Sequence, residues 1–222
     1  HIDEPVLICD SARVSAWIKD AVSLGVPFYL ALPTYGYRLI FAPGGEFVGL
    51  TAEQMEEPPV GYQTREIVAD PFEVAALVRT LRSEPPSLLL GITWFRLPVE
   101  GDRLNWSWPL LEKVMQGQAP AMEVRVEVRT PSPNLHEVWI TNQGLFRPTE
   151  PIHVSVDWIN GTLVAHDALA EFRFDPVSDD AGDLVGKAPA PGEGRMAAWF
   201  RLAPANGEEI PALRVGVMEV LR

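Results

Sequence analysis

The 222-residue sequence has a single cysteine, Cys9, which excludes an internal disulfide and any zinc site built from several thiolates. No apolar run approaches the roughly 20 residues needed to cross a bilayer, so no membrane-spanning segment is expected. Basic charge is also short. Against 18 basic residues stand 30 acidic ones, a net charge of −12, and a bare nucleic-acid surface needs the opposite sign. No basic stretch followed by an apolar one comes after His1, so no signal peptide is expected within these residues; the chain is either mature or cut from something longer. A lone cysteine suits an oxidising compartment and the cytosol alike, and an extracytoplasmic location is the one expected. The phosphate-loop pattern GxxxxGK[ST] is missing, so Gly44, Gly45 and the glycines between 182 and 194 read as turn glycines, and no cofactor is expected.

What is present is ordinary globular usage, 47% hydrophobic and 22% charged, with 21 prolines that favour short elements and irregular connections. Asp10 and Ser11 precede an apolar stripe, Val14, Trp17, Ile18, Ala21 and Val22, at helical spacing, and Gly25 ends it. Phe28 to Leu32 is a continuous apolar run, which predicts a parallel strand covered on both faces and ending at Pro33. Arg38 to Phe41 and Glu46 to Gly49, joined through Pro43-Gly44-Gly45, predict a hairpin. Residues 51–63 read as a loop. Asp70-Pro71-Phe72-Glu73 is a helix start with Asp at the N-cap and Pro at the first position, followed by the stripe Val74, Leu77, Val78 and Leu81. Leu88 to Phe95 predicts a second buried strand, and Trp106 to Met115 a third helix with Leu110, Leu111, Val114 and Met115 inward.

From Met122 the period changes to two, and strands are predicted at 122–129, 135–142, 152–159, 162–166, 169–174, 195–203 and 212–221, with 175–194 as a mobile loop. The fold class is therefore α/β plus all-β. Residues 1–118 read as the C-terminal part of a (βα)-barrel, because two buried strands cannot cover three amphipathic helices, and the missing strands would precede His1. The competing reading is a small α+β domain packed on its neighbour. Residues 119–222 read as an immunoglobulin-like β-sandwich.

Two segments carry candidate chemistry. Leu32-Pro-Thr-Tyr-Gly-Tyr37 ends one buried strand, and Gly91-Ile-Thr-Trp-Phe-Arg-Leu-Pro98 ends the other, with Asp102 shortly after. In a βα-barrel the C-terminal strand ends face the active site. Tyr35, Tyr37 and Trp94 would offer apolar faces to a sugar ring, and Arg96 and Asp102 would bond its hydroxyls. The plainer reading makes Tyr35, Trp94 and Phe95 core aromatics.

These strings resemble the late strands of the family 18 glycoside hydrolase (chitinase-like) barrels. There a Pro-Tyr-Gly strand end precedes a Gly-x-x-x-Trp last strand whose Trp floors the sugar subsite, and the resemblance implies that role for Trp94. ALPTYGY and WFRLP also resemble an uncharacterised bacterial family of unknown function that joins such a barrel to a C-terminal β-domain. The chitinase-like Asp-x-x-Asp-x-Asp-x-Glu signature, whose Glu is the general acid in that superfamily, is absent, and no catalytic carboxylate can be assigned in this chain. Asp3-Glu4 has the wrong spacing, and Asp179-Asp180 reads as solvated. Among His1, His136, His153 and His166, only His153 and His166 could face each other across a sandwich, and without carboxylates they do not predict a metal site. Cys9 reads as a buried thiol. Two functions follow: a carbohydrate-related barrel, hydrolase-like or degenerate and sugar-binding, or a non-enzymatic surface protein that binds a protein partner.

Overall fold

The computed structural model describes residues 7–52, 58–99, 101–102, 104–148, 150–205 and 210–218. The chain divides into two compact units, His1–Pro120 and Ala121–Arg222.

In the first unit, helix α1 (Ser11–Ser23) is capped by Asp10, whose carboxylate accepts from the backbone N–H groups of Ala12 at 2.9 Å and Arg13 at 3.1 Å. Val14 and Ile18 are buried as the stripe requires, but Trp17 is 60% exposed. It lies about 100° around the helix from Ile18, and the burial follows the narrower Val14–Ile18 line. Strand β1 (Phe28–Pro33) then runs into β2 (Gly36–Phe41), which pairs antiparallel with β3 (Phe47–Thr51) and β4 (Gln63–Val68). The β2–β3 hairpin is the one expected, and Gly45 supplies the positive φ, +85°, of its turn. Strand β4 is not foreseen by the sequence, because its first three residues, Gln63-Thr-Arg, are polar and exposed. Its close approach requires Gly36: a Cβ there would lie 2.4 Å from the carbonyl oxygen of Ile67 and 2.9 Å from the Cα of Val68.

Helix α2 (Pro71–Ser83) starts at Asp70, which accepts from the N–H groups of Phe72 and Glu73, and it buries Val74, Leu77, Val78 and Leu81. Strand β5 (Leu89–Phe95) pairs parallel with β1, from Tyr29 opposite Gly91 to Pro33 opposite Phe95. Only one face of this pair is sheltered. Leu32 is 1% exposed, whereas Tyr29, Ala31, Thr93 and Phe95 on the other face are open, so the expected cover on both faces is absent among the described residues. Helix α3 (Trp108–Met115) buries Leu110, Leu111 and Val114 and leaves Met115 exposed. It begins two residues later than expected because the N–H of Trp106 is held by the Thr34 carbonyl, and its indole Nε1 donates to Ala69 O at 3.1 Å. The sheets of this unit are open, and no closed (βα)-barrel is present among the described residues.

The second unit is two four-stranded antiparallel sheets. One has the order β6 (Val124–Ser132), β7 (Leu135–Asn142), β12 (Gly194–Pro204), β9 (Gly161–Ala168). The other has β10 (Phe172–Pro176), β11 (Ala181–Gly186), β8 (Ile152–Ile159), β13 (Ala212–Met218). Their alternating apolar positions, among them Ile140, Val154, Trp158, Phe200 and Leu202, meet in one core. Strand β11 corrects the expected loop over 175–194. Its run Ala-Gly-Asp-Leu-Val-Gly has no strand-like composition, but the neighbouring strand supplies the side chains. The Phe174 ring lies over Gly182, where a Cβ would come within 2.3 Å of it. Residues 169–171, expected to begin a strand, form a turn in which Ala170 and Glu171 have positive φ, 52° and 71°. Among the described residues no helix is long and apolar enough to cross a membrane.

Candidate functional site

The C-terminal ends of the parallel pair are stitched together by Thr34, which is fully buried. Its N–H donates to Phe95 O at 2.9 Å, its carbonyl accepts from Trp106 N–H at 2.9 Å, and its hydroxyl donates to the carbonyl of Arg96. Next to it Tyr35 forms a backbone bridge with Asn105, and its carbonyl accepts from Ala69 N–H at 3.0 Å. With its backbone pinned on both sides, the Tyr35 ring is presented in one direction. It meets Tyr37 edge-on at 5.6 Å and 76°, and Phe95 edge-on at 5.6 Å and 88°. Tyr37 also shares a side-chain hydrogen bond with Tyr35. Burial, that hydrogen bond and the neighbouring phenol together push the Tyr37 hydroxyl above its ordinary pKa, so it remains a protonated donor.

In the segment that follows β5, Arg96 and Asp102 form an ion pair. The guanidinium also donates to Ala52 O at 2.8 Å, at the end of β3, and the second carboxylate oxygen of Asp102 accepts from Leu104 N–H at 3.0 Å. The pair therefore holds the segment after β5 against the end of β3, and both Asp102 oxygens are already engaged. Trp94 stands in register with Leu32 and is half-buried. Successive strand residues point to opposite faces, which turns Trp94 away from the side of Phe95. The ring cluster thus contains Tyr35, Tyr37 and Phe95. Phe95 was not among the candidate binding residues, and the plainer reading that placed it in the core with Tyr35 and Trp94 does not fit its 62% exposure. Period-two alternation along Thr93-Trp94-Phe95 was the signal that separates the two rings.

The remaining candidates are scattered. Cys9 is buried, and burial, followed by the charges of Glu73 and Asp10, raises its thiol pKa. His153 is exposed on β8 between the buried Ile152 and Val154, so it points out of the core. His166 instead packs its ring on Phe174 at 4.8 Å and on Phe200 at 6.1 Å, and the two histidines do not face each other. Asp179 and Asp180 are exposed, with Asp180 accepting from the Ser178 hydroxyl at 2.6 Å. His1, Asp3 and Glu4 lie outside the described residues. Among the described residues no group of three or more His, Cys, Asp or Glu is placed to hold a metal ion.

His136 has a different consequence. It is 3% exposed beside Phe200, with Thr130 Oγ1 3.3 Å from its Nδ1, and burial lowers its pKa from 6.5. Above about pH 6.5 the ring is neutral in both folded and unfolded chains and adds no pH-dependent cost. As the pH falls below that value the unfolded chain takes up a proton that the folded one resists, and stability falls until the folded pKa is passed. Thermal melts across this range should therefore show a decline on the acid side that His136→Asn removes. An equal decline in the variant would contradict it.

The model of a family described as Domain of unknown function (DUF3142) matches residues 2–100. The match takes in α1 through β5, and with them Tyr35, Tyr37, Trp94, Phe95 and Arg96, and stops before Asp102. No curated protein matches the chain.

Proposed function

We propose that the chain is carbohydrate-related and binds sugar on the ledge formed by Tyr35, Tyr37 and Phe95, without a catalytic acid of its own. The observation that carries this reading is an exposed Phe95 braced edge-on by a tyrosine at the C-terminal end of a parallel strand pair. A sugar ring has apolar C–H faces and a rim of hydroxyls. It gains by covering an exposed aromatic ring while its hydroxyls reach a protonated Tyr37 and the Arg96–Asp102 pair. The open face of β1 and β5, with Tyr29 64% and Phe95 62% exposed, is what the inner face of a partial (βα)-barrel would present where further strands are to close it. The two-sheet unit is then a β-sandwich of immunoglobulin-like type. With both Asp102 oxygens engaged, no described carboxylate at the ledge is free to act as the general acid, a role worth about 10²–10⁴-fold in rate. The same open apolar face would also serve a non-enzymatic protein that binds a protein partner.

Calorimetric titration of the full chain with cello-, chito-, xylo- and manno-tetraose separates these readings. The expected result is saturable binding to one of them, weakened by Phe95→Ala, with no turnover of chromogenic glycosides. Absence of Phe95-dependent binding would favour the protein-partner reading.

A further inference from the structure

We propose a second sugar-binding site, independent of the first, on the outer face of the β6-β7-β12-β9 sheet and centred on Trp199. Register fixes its composition. Trp199 on β12 stands opposite Glu137 on β7, Met196 stands opposite Trp139, and Arg201 stands opposite Leu135. Leu135, Glu137, Met196, Trp199 and Arg201 line one shallow depression. These side chains point away from the core, because the alternating residues Val138, Ile140, Phe200 and Leu202 fill it. The neighbouring indole, Trp139, is already occupied. Arg129 covers its ring at 4.0 Å, and its Nε1 donates to Glu137 Oε2 at 2.9 Å. Trp199 is partly buried, and among the described residues no cation is stacked on its ring. Arg201 is exposed and has no hydrogen-bond or ion-pair partner among the described residues, unlike Arg125, Arg129 and Arg195 on the same sheet.

The chemistry selects the ligand. An indole face with a thioether beside it takes an apolar ring surface. A carboxylate on one side and a guanidinium on the other accept from and donate to hydroxyls on the ring's edge. A purely anionic ligand would meet Glu137, and a purely cationic one Arg201, so the set fits a neutral hydroxylated ring. The depression is small and open, which suits one or two sugar units held from one side.

Trp199→Ala and Arg201→Ala in the full chain are titrated with the same four tetraoses. The expected result is a site whose affinity falls tenfold or more in both variants and is retained in part by Trp199→Phe, with unchanged melting temperatures. Phe95→Ala should leave this site intact, which keeps its fate separate from that of the strand-end ledge. No binding, or binding that Trp199→Ala and Arg201→Ala leave unchanged, would overturn the proposal. Should Trp199→Ala lower the melting temperature, Arg201→Ala decides, because an exposed arginine without a partner carries no fold.

Discussion

Phe200→Ala is expected to destabilise the second unit by about 3–5 kcal/mol, the usual cost of emptying a fully buried aromatic site. The ring is 0% exposed on β12, the strand that pairs with both β7 and β9. Phe174 packs edge-on against it at 5.0 Å, Trp158 lies tilted to it at 6.4 Å, and His166 stacks on it at 6.1 Å. These partners come from both sheets, and no single neighbour can move in to fill the gap without leaving its own place. A domain is typically stable by about 5–15 kcal/mol, so the loss is a large fraction of what holds this one together. Denaturant melts of the full chain measure it. Phe200→Leu, which keeps most of the volume, should cost much less, and a cost under about 1 kcal/mol for Phe200→Ala would mean that the shared core is not what holds the sheets together.

The second large effect is expected at Gly36. A single added methyl group meets backbone, Ile67 O at 2.4 Å and Val68 Cα at 2.9 Å, and backbone cannot turn aside as a flexible side chain can. Either β4 parts from β2 or the Tyr35–Tyr37 segment rotates. Overpacking of this kind costs about 1–3 kcal/mol, and here it also moves the ring cluster. Gly36→Ala should therefore lower the melting temperature of the first unit and abolish sugar binding at the ledge together. A variant with normal stability and normal binding would show that the approach of β4 is not tight.

How much of this was legible in the sequence depends on what each residue's environment supplies. The two capped helices were readable because their signals are local: Asp10 and Asp70 bond N–H groups two and three residues on. The parallel pairing of β1 and β5 followed from the order of their apolar runs. The strand at 181–186 was not readable, because Gly182 is buried by a ring belonging to another strand, and composition carries no trace of that. Trp17 and Met115 show the opposite failure. Both sit on apolar stripes, yet a stripe says only which side of a helix is apolar, not how wide a strip is covered. The strings Thr-Tyr-Gly-Tyr and Thr-Trp-Phe-Arg lie at the ends of the paired strands β1 and β5, as the apolar runs before them imply. Which ring of Trp94 and Phe95 joins Tyr35 was decided by the strand's alternation, and Thr34 gave no sign of its role because a buried threonine's partners are distant backbone groups.

The most direct measurement compares tetraose binding by the wild-type chain with Phe95→Ala, alongside a melt of each protein. Phe95 is largely exposed, so removing its ring should shift the melting temperature by no more than about two to four degrees, since surface changes usually fall within about 0.5 kcal/mol. Affinity at the ledge should fall tenfold or more, about 1.4 kcal/mol. Equal affinity in the two proteins, at equal stability, would contradict a sugar-binding role for the strand-end rings.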